Sequence, residues 1–271
     1  MAVDFSFKWI GGATWILEGG GLKIACDPVL SPSGTVQDYF WFKSKRREEP
    51  EYETGDFKDV DLWLITHGHE DHLDEAGLDF IDKKSVVITH KNGLPKLKKT
   101  KLDEITTLSW GEVVRLTSKG FKITVEAMPA VHGVNPLVAL LAGGVNGYWV
   151  TLEKPDDKIS IYIPSDTVIK KKVIDSLEGR KCDLFIPNLG AARIGAGIRG
   201  RLLMDLTLTA EKIGKIIEVI NPKITIPVHF GTFSHYTEPV DKIRALAEEA
   251  GDKVKMLKPG QEIKFTLWSR Q

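Results

Sequence analysis

Cysteine is scarce in this chain of 271 residues: only Cys26 and Cys182 occur, far apart. That excludes a disulfide framework and a C-x-x-C metal site. Net charge is absent too, because 37 Lys and Arg balance 37 Asp and Glu. A dedicated nucleic-acid or polybasic membrane binder carries an excess of positive charge, so the balance counts against both. No apolar run approaches the ~20 residues that span a bilayer. The opening MAVDFSFKWIGG lacks the basic and continuously apolar regions of a signal peptide. Neither an internal repeat nor a domain linker is visible. Together these absences predict a reduced, cytoplasmic protein without a transmembrane segment, organised as one domain over residues 1–271.

What is present is an ordinary globular mixture, 42% hydrophobic and 27% charged, enough to build a large core without staples. Phe5–Ile10, Ala13–Glu18 and Leu22–Cys26 read as a β-meander punctuated by Gly11-Gly12 and Gly19-Gly20-Gly21. Residues 28–58 lose all periodicity and read as an irregular insertion holding the aromatic cluster Tyr39–Phe42. Asp61–Thr66 is a short apolar run, predicted as a buried strand. Further strands are predicted at Val86–Thr89, Val113–Leu116, Phe121–Ala127, Tyr148–Leu152, Ile159–Ile163, Lys223–Pro227 and Glu262–Leu267. Helices are predicted near Glu75–Ile81, at Lys91–Lys98, at Ala210–Ile220 and at Pro239–Ala250. Strands in runs with helices interspersed, lacking a regular βαβ period, indicate two sheets covered by helices.

The strongest chemical signal is Thr66-His67-Gly68-His69-Glu70-Asp71-His72, directly after the strand DLWLIT. Imidazole nitrogens and carboxylate oxygens are the donors that borderline divalent metals prefer. The chain has seven histidines, and three of them fall in this turn beside Asp71, which a chance solvated loop does not explain. Three other predicted strands end near a metal-capable residue: His132 after Phe121–Ala127, Asp166 after Ile159–Ile163, and His229 after Lys223–Pro227. Functional groups collect on loops held by rigid strands, so this pattern reads as a site.

The string H-G-H-E-D-H, followed by single His, Asp and His positions, resembles the H-x-H-x-D-H signature of metallo-β-lactamase superfamily hydrolases. The resemblance implies a four-layer αβ/βα sandwich, with two mixed β-sheets flanked by helices and two metals at one edge. It implies that His67, His69 and His132 bind one metal, that Asp71, His72 and His229 bind the second, and that Asp166 bridges them. Asp27, in Cys26-Asp27-Pro28, matches the early aspartate that supports such a site from behind its ligands. Trp9–Thr14, Asp27-Pro28 and Pro227–Phe233 are most similar to the branch of L-ascorbate-6-phosphate lactonase and N-acyl-phosphatidylethanolamine-hydrolysing phospholipase D. Many relatives have histidine where Gly12 stands, and glycine where Ser165 precedes Asp166.

The implied activity is that of a dinuclear metal-dependent hydrolase using a metal-bridging hydroxide on an ester, lactone or phosphodiester of a small, sometimes phosphorylated molecule. The cofactors would be two divalent ions, Zn2+ foremost, with Mn2+ and Fe2+ as alternatives. The runner-up is a phosphodiesterase or ribonuclease acting on RNA or nucleotides, which the neutral charge balance disfavours. A metal-binding sensor or interaction protein without turnover would need a broken ligand set, and here every position is filled. Beside the ligands, Asp71 is a candidate proton acceptor. His235 reads as a proton donor or substrate contact, against a loop histidine without a role. His90 reads as structural. Arg193, Arg199 and Arg201 lie in the glycine-rich stretch Gly190–Arg201 and would suit a second anionic group on the substrate, against a flexible solvated loop. The Tyr39–Phe42 cluster reads first as packing, and a homo-oligomer remains open.

Overall fold

A strand buried on both faces must be apolar throughout, and Leu62–Ile65 within DLWLIT meets that requirement. In the structure, a computed structural model that describes residues 2–39, 42–155, 157–194 and 204–268, Leu62 and Leu64 point into one core while Trp63 and Ile65 point into another. The seven-stranded sheet to which they belong runs β17-β1-β2-β3-β6-β7-β8. Its strands are β1 (Ala2–Gly11), β2 (Thr14–Gly19), β3 (Leu22–Cys26), β6 (Leu62–Ile65), β7 (Val86–Thr89), β8 (Ile105–Thr107) and β17 (Glu262–Trp268). The meander β1–β3 with β17 is antiparallel, and β3, β6, β7 and β8 are parallel.

The second sheet, of six strands, runs β16-β13-β12-β11-β10-β9. It comprises β9 (Val113–Ser118), β10 (Phe121–Ala130), β11 (Val145–Lys154), β12 (Asp157–Ile163), β13 (Leu184–Phe185) and β16 (Ile224–Thr225). It too is mixed, with three antiparallel pairs and two parallel ones. The main core joins the inner faces, with Phe7, Trp15 and Leu17 from one sheet and Ile123, Tyr148 and Ile161 from the other. Helices α1 (Glu75–Leu78) and α2 (Leu94–Leu97) cover the outer face of the first sheet, where Leu73 and Leu97 join Trp63 and Val87. Helices α5 (Gly214–Ile220) and α6 (Val240–Ala250) add Ile216, Ile220 and Ile243 beside the second sheet. The architecture is the expected αβ/βα sandwich.

Several elements differ from the sequence-based expectation. Residues 28–58 are not irregular throughout: they hold an antiparallel hairpin of β4 (Val36–Tyr39) and β5 (Phe42–Lys45), and a 3-10 turn over Thr54–Phe57. The hairpin lacks the Asn-Gly or Asp-Gly turn that announces such a unit, which hides it in the sequence. Phe40 and Trp41, part of the aromatic cluster, lie outside the described residues. Helix α5 begins at Gly214 rather than Ala210, and a hydrogen-bonded turn from Thr209 to Ile213 precedes it. Helices α3 (Pro136–Ala142) and α4 (Lys171–Asp175), and the two-residue pair β14 (Arg193–Ile194) and β15 (Met204–Asp205), had no clear sequence signal. No helix among the described residues is long and apolar enough to cross a membrane.

Candidate metal centre

The candidate donors gather at the ends of strands from both sheets. His67, His69, Asp71 and His72 occupy the turn after β6, His132 follows β10, and Asp166 follows β12. His229 follows β16 just past a parallel bridge between Asn188 and Val228. The ligand atoms of His67, His69 and His132 lie within 4.8 Å of one another, and so do those of Asp71, His72, Asp166 and His229. All seven are buried except His69, which is partly exposed.

Outer partners aim the rings. The His132 Nδ1–H donates to the Leu206 carbonyl at 3.0 Å, leaving Nε2 toward Asp166. His72 Nδ1 meets Asp27 Oδ2 at 2.8 Å, and His67 Nδ1 meets Thr66 Oγ1 at 3.0 Å. Asp27 also accepts from the Thr66 backbone N–H and hydroxyl, both at 2.7 Å, so one carboxylate positions the whole turn. Asn188 Nδ2 donates to Asp166 Oδ1 at 2.7 Å. With these partners in place, His67 Nε2 faces His69 Nδ1, and His72 Nε2 faces His229 Nε2, each at 3.0 Å.

The backbone carries strain here, as functional sites often do. Asp27, Ser165 and His229 have φ of 42°, 55° and 62°, in the left-handed region. That conformation accounts for the glycine many relatives have before the aspartate: Ser165 occupies a backbone that a glycine adopts at no steric cost.

Charge and burial act in opposite directions across the cluster. Burial, helped by His72 and His69, holds the His67 pKa well below its usual value. Burial and then His132 push His69 down to about 4. His72 moves the other way: burial alone would lower it, but Asp166, Asp27 and Asp71 outweigh that and raise it. Burial would raise Asp71 and Asp166, yet the surrounding imidazoles hold both well below the carboxylate range. The result is neutral imidazoles in one group and ionised carboxylates in the other. Ring nitrogens facing each other at 3.0 Å beside buried carboxylates form a donor set that fits divalent cations.

A model described as the β-lactamase superfamily domain matches residues 23–230, a span running from β3 to His229. The chain belongs to the β-lactamase superfamily. Within it, the chain is 25% identical over 261 residues to N-acyl-phosphatidylethanolamine-hydrolyzing phospholipase D 1 of Caenorhabditis elegans, covering 90% of this chain and 70% of that protein. It is 27% identical over 259 residues to a UPF0173 metal-dependent hydrolase of Pyrococcus horikoshii, covering 95% and 98%. Among solved structures, an isothiocyanate hydrolase from Delia radicum gut bacteria superposes with a TM-score of 0.76 at 21% identity, covering 97% of this chain and 100% of that one.

Around this superfamily centre the structure places residues beyond the seven. His235 is buried, with Nδ1 2.5 Å from Ser44 Oγ and Nε2 3.1 Å from Asp71 Oδ2. Tyr236 donates its hydroxyl to Asp71 Oδ2 at 3.1 Å, and the same oxygen stands 2.7 Å from His229 Nε2. Nothing in the sequence pointed to Ser44 or Asn188, and only adjacency to His235 pointed to Tyr236. Arg193 has its Nε on Asp205 Oδ1 at 2.7 Å, and Asp205 also takes Lys212. Arg199 and Arg201 lie outside the described residues. His90 is structural in its contacts: it bonds Asn92 Oδ1 at 2.9 Å.

Proposed function

We propose that this metal-dependent hydrolase of the β-lactamase superfamily holds two divalent cations, with zinc the best match to its donors. His67, His69 and His132 would hold one, Asp71, His72 and His229 the other, and Asp166 both. The supporting observation is the position of Asp166 between the two donor groups. Its Oδ2 is 3.2 Å from His72 Nε2 and 3.8 Å from His132 Nε2, while Oδ1 is 3.5 Å from His229 Nε2. A cation pair of this kind, when bound, supplies hydroxide at neutral pH and offsets negative charge on the reacting group.

The chain's own residues supply the rest. Asp27, Thr66, Leu206 and Asn188 fix the donors, so little reorganisation is needed on binding. His235, locked between Ser44 and Asp71, is the group placed to give a proton to the leaving atom. The substrate class is a small ester, lactone or phosphodiester. With the Arg193 Nε committed to Asp205, grip on a second anionic group would fall to Arg199 or Arg201.

A screen of zinc- and manganese-loaded protein against lactones, carboxylic esters and bis-p-nitrophenyl phosphate tests this reading. Turnover that Asp166→Ala abolishes is the expected result. Turnover that survives the substitution would overturn it.

A further inference from the structure

Helix α3 is built inside out. A surface helix ordinarily turns its apolar stripe to the core. Here Val134, just before the helix, and Leu137, Leu140 and Leu141 follow one another at helical spacing, yet they are 37%, 63%, 75% and 53% exposed. No described residue of α3 is buried. The helix is held by its ends: Asn135 caps the Leu137 N–H, Lys170 Nζ donates to the Val134 carbonyl, and Asn92 Nδ2 donates to the Gly144 carbonyl. Gly133 and Gly143, with φ of 137° and 84°, flank it. Exposing three leucines on one short helix opposes the hydrophobic effect unless something covers them in use.

Its position says what that something is. The helix starts four residues after His132 and is pinned at its far end by Asn92. Asn92 in turn packs against the backbone of Gly68, between His67 and His69. The helix therefore lies beside the His67, His69 and His132 group, where His69 is the one partly exposed donor. The Tyr39 ring stands edge-on to His69 at 6.0 Å and stacks on Phe42 at 4.8 Å.

We infer that the substrate carries a hydrocarbon chain next to the bond presented to the centre, and that α3, with the Tyr39–Phe42 stack, is the seat of that chain. This rests on the hydrolase reading above. A second copy of the protein is a poorer occupant, since a stable interface buries about 1,200–2,000 Å² and this stripe is one seven-residue helix. A lipid surface is poorer too, because interfacial helices carry basic residues on their polar face and PLVALLA has none.

The triple variant Leu137→Ser, Leu140→Ser, Leu141→Ser tests the inference, since exposed leucines can change without opening the core. The measured quantity is the ratio of kcat/KM for p-nitrophenyl decanoate to that for p-nitrophenyl acetate, in zinc-loaded protein. The ratio should fall at least tenfold, a change of about 1.4 kcal/mol that burial of two methylene groups supplies. In parallel, 11-(dansylamino)undecanoic acid should bind the variant at least tenfold more weakly than wild type, a readout that needs no turnover. Should neither ester be hydrolysed, the catalytic reading fails on that substrate class and the dansyl titration decides alone. An unchanged ratio, or equal dansyl binding, overturns the seat. So does a wild-type dimer that the variant dissociates in sedimentation, or wild-type protein that pellets with phosphatidylcholine vesicles.

Discussion

Ser44 Oγ and His235 Nδ1 stand 2.5 Å apart although 191 positions separate them in the chain. The contact ties the β4–β5 hairpin to the candidate centre, because the opposite ring nitrogen of His235 is 3.1 Å from Asp71 Oδ2. Gln37 makes a second tie from the same hairpin, donating to the Glu70 carbonyl at 2.7 Å. A segment that reads as a loose insertion is thereby part of the wall of the site, and its serine sets the orientation of the histidine proposed as proton donor.

His235→Ala should lower kcat by about 10²–10⁴ for substrates with alkoxide leaving groups, which need a proton as the bond breaks. Substrates releasing p-nitrophenolate should lose far less. Ser44→Ala should shift the series in the same direction by a smaller factor. A leaving-group series measured on all three proteins checks this, and a uniform loss across it would remove the proton-donor role.

Asp166→Ala and Asp71→Asn should each leave less than about a tenth of wild-type activity, a barrier change above ~1.4 kcal/mol. Far-UV circular dichroism should remain that of wild type, because neither carboxylate belongs to the apolar core that joins the sheets. Either variant working near the wild-type rate would break the ligand assignment.

Metal analysis after reloading should give two equivalents of zinc or manganese per chain. Stripping with a chelator should lower Tm, since a ligand held at a hundredfold its Kd stabilises the folded state by ~2.7 kcal/mol. A single equivalent would contradict the paired site.

Tyr236→Phe keeps the ring, whose centroid is 4.0 Å from that of His229, and removes only the hydroxyl bonded to His229 and Asp71. Affinity for the second cation should fall by roughly 10- to 100-fold, as for other partners behind metal ligands. Competition with a chromophoric chelator resolves the two binding steps. Equal weakening of both would place the tyrosine in general stability rather than at that pocket.

The sequence by itself determined which donors could meet. His67, His69, Asp71 and His72 sit within one turn after a doubly buried strand, and that spacing is local, so it survives whatever the rest of the chain does. His132, Asp166 and His229 were legible because each follows an apolar run, and strand ends present loops at the sheet edge. Strand identity was legible for the same reason: alternation and apolar runs are properties of neighbours in sequence. Only the tertiary structure decided the partners that aim those donors. Ser44, Asn188 and the Leu206 carbonyl reach their histidine or carboxylate across 191, 22 and 74 positions, and such contacts depend on how the sheets and loops pack. It also decided that Arg193 pairs with Asp205 through the β14–β15 register. The sequence PLVALLA is apolar in any context, whereas the side of α3 that meets water is set by what lies beneath it. That is a property of the packed chain, because exposure is a relation between segments and not a property of one.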